Sequence, residues 1–137
     1  MATPYKLLQL ALVFVGAVML LVYPLAVVWP SGWMWHSGAP YRSDYFMMIV
    51  GVYATLGVFL INAARSPENN LSLIWFTVWS SGVHAAIMTV QSLDDGHMGH
   101  LWGDVLALFF VAVVLAVLVR AAGIKQPPAD RSRLATR

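Results

Sequence analysis

Four apolar runs govern what this chain can fold into: LLQLALVFVGAVMLLVYPLAVV at 7–28, YFMMIVGVYATLGVFLINAA at 45–64, LSLIWFTVWSSGVHAAIMTVQSL at 71–93 and LWGDVLALFFVAVVLAVLVRAAG at 101–123. Each holds 20–23 residues. A helix of that length reaches roughly 30–35 Å, the thickness of the hydrocarbon core of a bilayer. Lipid offers the backbone no hydrogen bonds, and a helix satisfies its own within one segment. The expectation is an all-α fold, an integral membrane four-helix bundle with four transmembrane helices. Residues 1–123 make up that domain. Residues 124–137, with two prolines and four basic side chains, are expected to form a disordered basic cytoplasmic tail.

Composition excludes the soluble alternatives. Hydrophobic residues make up 60% of the chain and charged ones 10%, against about 25% charged in a soluble domain. There is no cysteine, which removes disulfides and thiolate-held metals or clusters. A net charge of +2 is too small for a nucleic-acid footprint, so no nucleic-acid partner is expected. The partner that the composition demands is the lipid bilayer.

The basic residues instead report topology. Lys6, Arg65, Arg120, Lys125, Arg131, Arg133 and Arg137 fall on one side of the four spans, and only Arg42 falls on the other. The positive-inside rule then places both termini in the cytoplasm. The first run is too long for the core of a signal peptide, about 7–15 residues, and no small-x-small cleavage site follows it. Local signals mark the helix ends. Ser43 or Asp44 is expected to cap the second span, and Ser66, with Pro67 and Glu68 after it, the third. Gly123 closes the fourth, and Pro24 should kink the last turn of the first.

On the third span the polar residues fall in line. Thr77, Ser81, His84, Met88, Gln91 and Asp95 follow steps of four, three, four, three and four, which trace one helix face. Lipid penalises such a stripe, so it should face the bundle interior, with Ser80, Gly82, Ala85 and Ala86 permitting close helix approach. His84 is about 13 Å below the outer surface. It serves either as a hydrogen-bonding register pin or as a functional group: a proton relay, a ligand or a cavity contact. On the second span, Gly51 and Thr55 offer small-residue spacing for packing, within the bundle or between protomers.

A second polar cluster is DDGHMGHLWGD, residues 94–104. If the fourth helix begins early, His97, His100 and Asp104 share a face, and His36 joins them if the first outer loop folds over. Imidazoles with a carboxylate would make a candidate site for copper or zinc, although the spacing matches no complete metal motif. No other cofactor site is read from the sequence. Trp29, Trp33, Trp35, Tyr41, Tyr45 and Trp102 are expected to form an interfacial aromatic belt.

With PSGWMWH in the first outer loop, RSPENN in the inner turn and SSGVHAAIMT in the third span, residues 5–122 resemble small four-helix bacterial membrane proteins grouped as a family of unknown function. The resemblance implies a bacterial inner (plasma) membrane and carries over no activity and no site residues. The functional expectation is a small multi-pass accessory or interaction component with a polar cavity around His84 opening outward. It would act as a homo-oligomer or with a larger membrane-protein partner. The competing expectations are a catalytic or redox subunit built on the His/Asp cluster, and a small oligomeric transporter.

Overall fold

The computed structural model describes residues 2–94 and 98–125. Their regular elements are all helical: α1 (Ala2–Leu20), α2 (Val22–Val28), α3 (Pro30–Trp33), α4 (Asp44–Ala63), α5 (Leu71–Asp94), α6 (Met98–Trp102) and α7 (Asp104–Ala122), with 3-10 turns at Pro40–Arg42 and Pro67–Asn70. Four stretches are long and apolar enough to cross a membrane: Thr3–Leu20, Asp44–Ala63, Pro67–Leu93 and Met98–Ala122. Their outward faces carry Leu10, Phe14, Val52, Phe59, Trp79, Val113 and Val117, all exposed. Water would penalise that surface, and acyl chains match it. The chain is a small multi-pass membrane protein. Of the expected tail, residues 124–137, everything from residue 126 onward lies outside the described residues.

α1 packs along α4 and α7, and α5 packs chiefly on α7, whereas α4 and α5 barely meet. The bundle is thus a square with one loose side. Its dry core sits toward the end where α1 begins and α7 ends, where Leu8, Leu12, Leu60, Ile74 and Leu115 are fully buried. There Tyr5 Oη donates to Glu68 (2.9 Å), Gln9 Nε2 donates to the Ala64 carbonyl (2.7 Å), and Arg120 lies 5.8 Å from the Trp75 ring. Of the long helices, α1 and α4 approach closely where Gly16 meets Gly57. A Cβ on Gly57 would stand 2.5 Å from the Gly16 oxygen, and one on Gly16 would stand 2.7 Å from the Gly57 oxygen.

Two local expectations need correction. The first span is not one helix over 7–28: it breaks at Leu21 (φ −95°, ψ 4°). The break falls earlier than a last-turn kink because the Pro24 ring excludes the carbonyl four residues before it, not those after. Ser66 makes no side-chain cap; instead Asn70 Nδ2 donates back to the Ser66 carbonyl at 2.9 Å, tightening the 3-10 turn. Of the two placements open to the Gly51–Thr55 surface, the described residues do not fill the one within the bundle. Gly51 has open space where a Cβ would go, and Thr55 Oγ1 bonds the Gly51 carbonyl of its own helix at 2.9 Å. Two end signals behave as read. Ser43 Oγ accepts from the Phe46 N–H at 3.2 Å, and Gly123 adopts the left-handed conformation (φ 60°) that stops α7.

Candidate functional site

At the end where α4 and α7 begin, the helices part around a cavity of about 500 Å³. α4 supplies Tyr45, Phe46, Ile49 and Tyr53; α5 supplies His84, Met88 and Gln91; α7 supplies Asp104, Ala107, Leu108 and Val111. Val18, Met19 and Val22 line it from the first span, and Trp33, Trp35 and His36 line it from the connection after α2. Tyr45 and Gln91 are the strongly exposed members of this wall, so the mouth lies between the start of α4 and the end of α5.

Its deepest polar feature bridges the loose side of the square. Tyr53 Oη and His84 Nδ1 stand 2.7 Å apart. Tyr53 is nine residues into α4 and His84 ten from the end of α5, so both lie about 14–15 Å from the helix ends, near mid-bilayer. The sequence reading overlooked Tyr53. Its signal was there: a phenol in the middle of an otherwise apolar span, at the depth of His84.

The other stripe residues distribute along α5. Thr77, Ser81 and Met88 are buried, and Gln91 is exposed at the mouth. Asp95 lies outside the described residues. The hydroxyls of Thr77 and Ser80 bond within α5. Thr77 Oγ1 donates to the Leu73 carbonyl at 2.9 Å and Ser80 Oγ to the Thr77 carbonyl at 3.3 Å, because in a helix the nearest acceptor is one turn back.

The candidate metal cluster is only partly assembled among the described residues. His97 lies outside them, and Gly103 (φ −97°, ψ −110°) interrupts the helix between α6 and α7. His100 and Asp104 nevertheless meet, with Nδ1 3.3 Å from each carboxylate oxygen. His100 is 1% exposed, its Nε2–H donates to the Met34 carbonyl at 2.8 Å, and its ring stacks on Trp35 with centroids 4.1 Å apart. His36 turns instead to the Ala39 carbonyl of its own loop (3.4 Å). Among the described residues no group of three His, Asp or Glu side chains converges.

A carbonyl oxygen only accepts, so His100 Nε2 must carry a proton. Nδ1 then needs another proton between itself and the carboxylate, or two acceptors would face each other in a buried site. The pair therefore shares one proton and is neutral overall, either as acid and imidazole or as carboxylate and imidazolium.

Close glycine contacts seat this corner. A Cβ on Gly103 would run into the Gly32 carbonyl, and one on Gly99 into that of Ser31. α3 is thereby held against α6, and the segment with Trp33 and Trp35 is held over the cavity. Of the aromatic belt, Trp29, Tyr41, Tyr45 and Trp102 are exposed. Trp33 and Trp35 are half-buried and turn inward.

A family model described as a family of unknown function (DUF6632) matches residues 2–137. The chain belongs to that family. No curated protein and no solved structure matches it. What this family member does must therefore be argued from its own cavity.

Proposed function

We propose that the protein is a membrane-embedded accessory component that holds a small lipophilic molecule in this cavity, not an enzyme. One observation carries the reading: a space of about 500 Å³ with a mainly apolar wall and a few convergent polar groups. That is the usual size and chemistry of a small-molecule site, typically about 300–1,000 Å³. A transporter would need a path onward, but below Tyr53 and His84 the bundle closes on Leu12, Ile74 and Leu115. A redox site on the His/Asp cluster has less support, since both His100 nitrogens are engaged and His36 bonds within its own loop. The exposed Gly51–Thr55 face of α4 is where a second copy or a larger membrane partner would pack.

The test is to fill the cavity. Native mass spectrometry of gently purified protein should show a small molecule bound to wild type and lost from Ala107→Phe, which projects a ring into the space. Equal occupancy in the two proteins would end the proposal.

Both termini lie in the cytoplasm of a bacterial inner membrane, and the cavity opens outward. The support is the grouping of Lys6, Arg65, Arg120 and Lys125 at one end of the bundle and of Arg42 at the other. With no native cysteine, an impermeant thiol reagent on intact cells should label Ser37→Cys and spare Ser66→Cys. The reverse pattern inverts the orientation.

A further inference from the structure

Resting on the ligand-binding reading above, we propose the ligand's chemical class: an uncharged, apolar-bodied molecule whose carbonyl-type oxygen accepts a hydrogen bond from His84 Nε2–H at the bottom of the cavity. The argument begins with charge. Among the described residues no lysine or arginine lines the cavity, and the one carboxylate there, Asp104, is paired with His100. Because that pair shares a single proton, it presents no net charge to a guest. An ion carried to mid-bilayer depth without a countercharge would lose hydration worth several kcal/mol. A neutral guest escapes that penalty, and Val18, Met19, Val22, Ile49, Leu108 and Val111 offer its body apolar contact.

The polar end of the guest follows from where the protons must sit. The Tyr53 hydroxyl has one hydrogen-bond partner among the described residues, His84 Nδ1 at 2.7 Å. A phenolic proton at that depth goes to the acceptor in reach, so Tyr53 O–H donates and His84 Nδ1 accepts. The neutral imidazole then carries its hydrogen on Nε2. Nε2–H has no acceptor among the described residues, although His84 forms part of the cavity wall. An unmatched donor in a low-dielectric setting is costly, and a ligand oxygen removes that cost. A hydroxyl would fit less well than a carbonyl, because its own proton would need a further acceptor among apolar side chains. Tyr53 is thus a positioning residue, fixing the tautomer through which His84 makes the contact.

Three matched probes separate the elements of this inference: naphthyl methyl ketone, ethylnaphthalene and naphthoate, each measured against protein in lipid nanodiscs with empty nanodiscs as the blank. Wild type should bind the ketone about tenfold more tightly than the hydrocarbon, the value of one net hydrogen bond. The infrared carbonyl stretch of the bound ketone should shift to lower frequency. His84→Leu should abolish both the preference and the shift while still binding ethylnaphthalene. Tyr53→Phe keeps the imidazole but no longer fixes its proton, so it should weaken the preference even if His84→Leu fails to fold. Equal affinity of wild type for ketone and hydrocarbon would overturn the carbonyl contact but leave the cavity a binding site. Tightest binding of naphthoate would overturn the charge argument. If none of the three binds above the blank, the binding reading itself falls.

Discussion

Gly57→Leu is expected to leave almost no folded protein, and Gly57→Ala to lower stability by about 1–3 kcal/mol, the usual cost of overpacking. The obstacle is backbone, not a side chain that can swing away. A Cβ at residue 57 would sit 2.5 Å from the Gly16 carbonyl oxygen, with Leu20 Cγ and Met19 Cβ both at 3.2 Å. Relief requires α1 and α4 to separate, which loosens the buried row Leu8, Leu12, Val15 and Met19. Since α4 barely touches α5, α1 is its main support, and no second interface takes up the loss. Gly51→Ala on the same helix is the control. It meets nothing within 4 Å and should be neutral or slightly stabilising, since alanine is the better helix former by up to about 1 kcal/mol. Thermal unfolding of the three variants in one detergent decides the matter. Equal midpoints for Gly57→Ala and Gly51→Ala would show that the α1–α4 crossing is not as tight as described.

That pair of glycines also marks how far the sequence could be read. The four spans were legible because hydrophobic runs of 20 or more residues have one solution in lipid. The Ser43 cap and the Gly123 stop were legible because each acts through its own neighbours. The choice between Gly51 and Gly57 as the packing glycine was not, since both lie on an apolar helix and only the position of α1 tells them apart. The same held for Tyr53. Its partner is 31 residues away, and α4 and α5 approach there without packing, so no spacing rule connects the two. His84 stood out because a histidine in lipid demands an explanation, whereas a tyrosine or a tryptophan does not. Trp33 and Trp35 were assigned to the interface for the same reason. Their inward turn depends on α3 docking on α6 through Gly32 and Gly103, a contact between segments some 70 residues apart.

That docked corner should be the second most sensitive point in the molecule. His100→Phe preserves the volume and the stack on Trp35 but removes the donor to the Met34 carbonyl and the partner of Asp104. A buried carboxyl group is then left unmatched, and breaking a buried pair by deleting one member costs about 3–5 kcal/mol. Asp104→Asn should cost far less. Its amide N–H can donate to Nδ1 of a neutral imidazole, while Nε2–H continues to hold Met34, so the donor pattern survives without a charge. Asp104→Leu offers nothing to Nδ1 and should fall between the two. The loss should also be local before it is global, because the freed carbonyl belongs to the segment that carries Trp33 and Trp35 over the cavity. Amide hydrogen exchange in residues 30–36 should therefore accelerate in His100→Phe under conditions where the α1–α4 crossing remains protected. If His100→Phe and Asp104→Asn lose equal stability, the shared proton is not what holds this corner. If exchange in residues 30–36 is unchanged in His100→Phe, His100 is not what fastens the segment over the cavity.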